Sequence, residues 1–467
     1  MLYLARKQAE GSKNALAHQR TLWICALGVS FLVSVLAIFR GGYIGPDYNF
    51  HLARLLDAKA IFDFSLTNPP LYSLLGHGLF LLTGRNSGFP ITLSVIQVAI
   101  NILALWWFFL YTEYRFRSTV LQLAFVLFLT FLPVRIIHAA TIGEDTTTVP
   151  LFVLLLFLFA NFLTAQTSTP KNALFLGLGL SIGVWTKYSF AALIPAIFVM
   201  FAFLSWRRVW KLNRFVTNCV LSLALPSAIV LCTYWTAQHW PSTQGHGTIA
   251  REVLLSKSGR REPEMDYKDL FSAKVNDVDL FRAPEFFKPS HSYRFGYRQP
   301  HKYSYLALSH MGIFTDTMNL FQDLPNPQNL DAYLIPDFKT RHLWKTPLMV
   351  TSMSLGIIWT LLALIGTPWL LVASLKNLWV NKLEREHAAL LLGIPYFLLI
   401  VLPIPFVHSS VLNGFWTPRL ILPPLLCFFW AAFLLLDRRL VRRSRKLEYV
   451  VFALVLVQSG IEIMMLV

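Results

Sequence analysis

The chain has 467 residues, 55% of them hydrophobic, with a mean hydropathy of +0.53 and only 14% charged residues. A soluble domain is nearer about a quarter charged, so a core of ordinary soluble type is excluded. The net charge of +17 would suit nucleic acid in a soluble protein, but here the basic clusters sit between apolar runs, as in membrane proteins, and no nucleic-acid partner is expected.

In chain order, apolar runs predict spans at 21–39, 90–112, 119–137, 148–165, 172–187, 189–204, 215–238, 346–374, 388–407, 418–436 and 447–466. The fold expected is an all-α polytopic membrane protein of about eleven transmembrane helices. The first run follows Arg6, Lys7, Lys13 and Arg20 and lacks a small-residue cleavage pattern, so it reads as an uncleaved span. Cys25, Cys219, Cys232 and Cys427 lie in apolar stretches without metal-like spacing and read as buried hydrophobes.

Orientation follows from Lys and Arg in short loops. The N-terminus, Arg115 and Arg117, Lys171, residues 206–214, residues 376–385 and the run DRRLVRRSRK at 437–446 all fall on one side if the spans alternate. The apolar segment Pro69–Leu82 has 14 residues, short of the roughly 20 that a span needs, so it reads as a juxtamembrane or re-entrant helix on the outer side. Three regions result: a module at 1–238 with a first outer loop at 40–90, an outer loop at 239–345, and C-terminal helices at 346–467. The second loop carries fourteen basic and twelve acidic residues. It is too long for a simple connection and is expected to form a small cap.

Four motifs bring polar chemistry to the predicted outer face. In GPDYNFHLAR, helical spacing puts Asp47, His51 and Arg54 on one face and Leu52, Leu55 and Leu56 largely opposite. Such a helix could lie on the membrane with its polar face in water, or group an acid, an imidazole and a guanidinium for chemistry. HAATIGEDTTTVP places His138, Glu144 and Asp145 between two spans, with a threonine run that could cap the next helix. In GLGLSIGVWTKYSF, Gly177, Gly179 and Gly183 permit close helix approach, and Lys187, followed by Tyr188, interrupts an apolar stretch. Lys187 could equally snorkel to the interface. In TPRLILPPL, Arg419 sits at the outer start of a span, where it could also serve as an anchor. Acids and cations gathered at one membrane face suit work on an anionic lipid headgroup: cations hold phosphate, and a carboxylate accepts a proton from an attacking group.

These motifs resemble, in order, those of the GT-C class of integral-membrane glycosyltransferases, in the branch of protein O-mannosyltransferases and lipid A aminoarabinose transferases. The matching features are the acidic motif GPDYNFHLAR, the NPPLY segment, GEDTTTVP and GVWTKYS, over roughly residues 20–205. The resemblance implies inverting transfer of a sugar from a polyprenyl-phosphate donor to a glycan, lipid or protein acceptor. It implies Asp47 as the base, Asp145 as an assisting acid, and Lys187 and Arg419 as phosphate contacts. Tyr48, His51, Arg54, His138, Glu144 and Tyr188 complete the expected substrate-binding set. Tyr48 stands where the family often has Glu, and Asn68 where the aminoarabinose enzymes have Lys. No resident cofactor is expected, although a divalent cation could assist the leaving phosphate. No N-x-Ser/Thr sequon with a non-proline middle residue occurs, which favours a bacterial plasma membrane with the site on its outer face. A transporter or flippase, and a non-catalytic subunit of the same fold, remain the other readings.

Overall fold

The computed structural model describes residues 2–39, 48–61, 69–164, 170–207, 209–239, 305–315, 346–380, 382–402, 413–440, 444 and 446–466, and among them no strand occurs. Among the described residues eight helical stretches are long and apolar enough to cross a membrane: Ala17–Ala37, Phe89–Arg115, Glu144–Leu163, Tyr188–Trp206, Leu212–Thr233, Pro347–Trp379, Leu420–Arg439 and Lys446–Leu466. A ninth results if Thr119–Phe131 and Pro133–Ala140 count as one span bent by 45°. This is the architecture of a multi-pass helical membrane protein. The expected span at 172–187 is helical through Thr186, and that at 388–407 is helical through Val401 with residues 403–407 outside the described ones; among the described residues neither meets the same criteria. The first has only 17 helical residues, and the second begins with Arg385 and Glu386 and changes winding after Pro395.

The helices are α1 Leu2–Ala37, α2 Tyr48–Leu56, α3 Ala58–Ile61, α4 Pro70–Leu82, α5 Phe89–Thr112, α6 Thr119–Phe131, α7 Pro133–Ala140, α8 Thr148–Thr164, α9 Pro170–Thr186, α10 Leu193–Trp206, α11 Leu212–Cys219, α12 Leu225–His239, α13 Tyr305–Phe314, α14 Thr346–Trp379, α15 Arg385–Tyr396, α16 Asn413–Leu435 and α17 Lys446–Leu466. An aromatic core holds them together. Phe128 lies against Trp359, Phe429 and Phe433, and Tyr111 packs edge-on to Phe157 and Trp430. With lipid on the outside, packing and buried polar contacts must hold the helices, because apolar transfer no longer distinguishes inside from outside. Gly177 shows this: a Cβ there would lie 2.3 Å from the Leu221 carbonyl oxygen, so only glycine lets α9 meet the turn between α11 and α12. Of the long loop at 239–345, α13 is the described part. It docks on α14 through Ser352 Oγ donating to the Phe314 carbonyl (2.8 Å) and through the Phe314 ring over Gly356. Residues 240–304 and 316–345, on which the expected cap falls, lie outside the described residues.

Charged residues tie together one end of the bundle. Arg20 forks onto Glu113 at 2.6 and 2.7 Å. Glu386 takes Arg438 at 2.6 Å and Arg115 at 3.3 Å, and Arg115 also reaches Glu384 at 2.6 Å. Asp437 accepts from the backbone N–H groups of Arg117 and Ser118, both at 2.9 Å. Burial pushes the Glu386 carboxyl up, but the hydrogen bond from Arg438 and the charge of Arg115 outweigh it and hold the group below the usual glutamate value. A depressed carboxylate contributes stability above its unfolded value and loses it as pH falls through the folded one. Glu386→Gln is therefore expected to lower the thermal midpoint at pH 7. The gap between variant and parent should narrow as the pH falls below the glutamate range, a trend that thermal unfolding in detergent across pH would read.

Candidate functional site

The opposite end of the bundle gathers the motifs. Gln97 lies 16 residues before Glu113, the residue that caps the far end of α5, about 24 Å along the helix axis at 1.5 Å per residue. At this end α7 stops at Ala140, and the chain makes a 3-10 turn over Glu144–Thr147 before α8. The threonine run builds this turn. Thr146, Thr147 and Thr148 hydroxyls donate back to the carbonyls of Gly143, Glu144 and Asp145 at 2.8, 2.6 and 2.6 Å. That is not the capping expected from the sequence, in which a side chain accepts from the helix's first N–H groups. The result is that Glu144 and Asp145 are presented side by side, 3% and 7% exposed.

Lys187 meets them from a break between helices. Its backbone is extended (φ −150°, ψ 123°) where α9 ends and a 3-10 turn over Tyr188–Ala192 begins. Its ammonium pairs with Asp145 and lies 3.2 Å from Glu144 Oε1. The lysine is thus committed to two buried acids and does not simply snorkel outward. Tyr188 meets Thr233 of α12, and Ser189 accepts from the Tyr396 hydroxyl at 2.9 Å, so α12 and α15 brace the break.

The α2 helix contributes His51 and Arg54. The sequence left open whether its polar face lies in water; the structure turns that face inward. His51 is 5% and Arg54 2% exposed, whereas Leu56 is 41% exposed. The physical reason is the acid turn beneath: His51 Nδ1 stands 3.8 Å from Glu144 Oε2, and the Arg54 charge acts on Glu144. Arg54 also donates to the Ile61 carbonyl at 3.1 Å, closing α2 onto α3. His138 is buried on α7, and its carbonyl accepts from Thr141 Oγ1 at 3.1 Å. Asp47 lies outside the described residues, as does Asn68. Tyr48 and Arg419 are placed on helices α2 and α16, and their side chains lie outside the described residues.

Three further residues in the same place were not named as site residues from the sequence, although Tyr72 ends the NPPLY segment. Tyr72, on the short helix α4, accepts from the Gly143 N–H at 3.0 Å and from Gln97 Nε2 at 2.7 Å. Its ring stands edge-on to His51 with centroids 6.2 Å apart. Asn101, one turn beyond Gln97 on α5, donates to the Thr146 carbonyl at 3.0 Å. A signal existed: Gln97 and Asn101 are polar groups at i, i+4 inside an otherwise apolar span, where such groups are rare without a purpose. Burial pushes the Tyr72 phenol up, so it keeps its proton at physiological pH. Helix α4 itself is short, as expected, and buries Tyr72, Ser73 and Gly76 against its neighbours.

Compared with protein-family models, curated proteins and solved structures, the chain matches none. The site must be read from its own geometry. Among the described residues no group of three His, Cys, Asp or Glu side chains could hold a metal ion. What the arrangement offers is a nearly dry set of two carboxylates, an ammonium, a guanidinium and an imidazole drawn from three segments. In such a low-dielectric place each charge acts more strongly than in water.

Proposed function

We propose that the protein is a lipid-linked glycosyltransferase, moving a sugar from a polyprenyl-phosphate donor to an acceptor with inversion. The observation that carries this reading is the meeting of Lys187, Glu144, Asp145, His51 and Arg54 at one end of the bundle. That end is opposite the cluster of Arg20, Arg115 and Arg438, whose side is cytoplasmic by the rule of basic loops. In this reading the spans number eleven and the site faces the outer leaflet of a bacterial plasma membrane.

The chemistry asks little of the protein. A sugar carbon bonded to phosphate is already activated, and the phosphate leaves when its developing charge is met. Lys187 and Arg54 supply positive charge, with Arg419 as a further phosphate contact. The acids take the proton of the attacking group: Asp47 as base, by the resemblance of its motif, and Asp145 as the group that orients the acceptor. Glu144 holds His51 and Lys187 in register. A divalent cation could add to the charge on the leaving phosphate.

The test is purified protein in detergent with a panel of polyprenyl-phosphate sugars and a membrane glycolipid extract as acceptor, read by mass spectrometry. A product heavier by one sugar residue is expected for at least one donor. Flux of the lipid sugar across vesicles with no transferred product would instead favour the flippase reading.

A further inference from the structure

Tyr72 and Gln97 form a pair whose hydrogen-bonding capacity is not used up. The Tyr72 oxygen accepts twice, from Gly143 N–H and from Gln97 Nε2, and among the described residues no acceptor meets its own proton. Gln97 Oε1 is buried and has no donor. Turning the Gln97 amide over lets Tyr72 donate to Oε1 but leaves the amide N–H groups open, so in either orientation at least one buried donor is uncommitted. Both side chains are 5% exposed. Buried polar groups normally find partners, so an open donor beside an open acceptor points to a ligand group that completes them.

The neighbours narrow its chemistry. The Gly143 N–H that Tyr72 accepts belongs to the residue just before Glu144 and Asp145. Two carboxylates beside the pair disfavour a second anion there, whereas a neutral hydroxyl both donates and accepts and meets no repulsion. Lys187, paired with the same acid turn, supplies the cation for a phosphate one bond away from a sugar that bears such a hydroxyl.

We infer that Tyr72 and Gln97 recognise a hydroxyl of the donor sugar and set the enzyme's preference for the sugar-bearing lipid over the bare lipid phosphate. This rests on the lipid-linked donor proposed above. It assigns a specificity role to Tyr72, the last residue of the NPPLY segment, and to Gln97, which no motif marks; both stand apart from proton transfer.

The experiment measures dissociation constants of the full-length protein in detergent for three probes: bare polyprenyl phosphate, its hexose and pentose esters, and a free methyl glycoside as an acceptor surrogate. Tyr72→Phe is expected to weaken the preferred sugar ester about tenfold, the loss of one well-placed hydrogen bond, and to leave the bare phosphate unchanged. Gln97→Met, which keeps the volume and does not touch Gly143, should act in the same direction even if Tyr72→Phe folds poorly. Equal weakening of both lipids, or of neither, overturns the inference. So does a loss confined to the methyl glycoside, which would move the pair to the acceptor, or a parent protein that binds ester and bare phosphate alike. If the ester preference and its loss are seen but no product forms with any acceptor, the transferase reading fails while the recognition role stands.

Discussion

Lys187→Met is expected to lower stability by about 3–5 kcal/mol, the cost of leaving one side of a buried ion cluster uncompensated. The lysine is the direct partner of both acids, and its side chain is 17% exposed against 4% and 10% for Glu144 and Asp145. Water at the lysine therefore puts the effect at the lower end of that range. Thermal unfolding in detergent would show it as a drop in midpoint of several degrees. Adding Glu144→Gln and Asp145→Asn to Lys187→Met should restore only part of the midpoint, because the acids are no longer bare while buried Arg54 loses the charge of Glu144, and should not restore transfer. A single Lys187→Met variant as stable as the parent would mean that the ammonium does not hold the acids, and the electrostatic account of the site would fall.

Asp47→Asn is expected to reduce transfer by about 10²–10⁴-fold, the range for losing a general base, with unchanged thermal stability. Asp145→Asn should reduce transfer and also shift stability, because Asp145 is tied to Lys187. Initial rates at saturating donor, measured beside the unfolding midpoint for each variant, separate the two behaviours. An Asp47→Asn enzyme working at near-parental rate removes that residue from the chemistry. The base would then be sought in the imidazole of His51, which already faces Glu144 at 3.8 Å.

Much of the architecture was legible along the chain because lipid imposes a one-dimensional rule: a run of apolar residues of sufficient length becomes a helix that satisfies its own backbone. Helices stand at every predicted run. The rule is less informative where a helix is short of a full crossing. Such a case is α9, which stops at Thr186 in the extended residue Lys187 and not in a smooth passage through the membrane. The bend between α6 and α7 was equally hidden inside one apolar run, although Pro133 marks it. Arg135, just past the bend, is fully buried and donates to the Thr130 carbonyl and to Ser30. It supplies positive charge where the broken helix leaves carbonyls short of donors.

Composition and periodicity alone determined that this is a helical membrane protein, that its basic loops lie at one end and that Glu144, Asp145 and Lys187 interrupt apolar sequence. Only the tertiary structure decided that these three share one ion cluster, that the polar face of α2 turns onto it, and that Tyr72 and Gln97 reach the same turn. The physical reason is that hydropathy is a property of each segment against its solvent. A salt bridge between residues 43 positions apart, or a hydrogen bond from α5 to α4, depends on how separate helices pack, and no single segment records it.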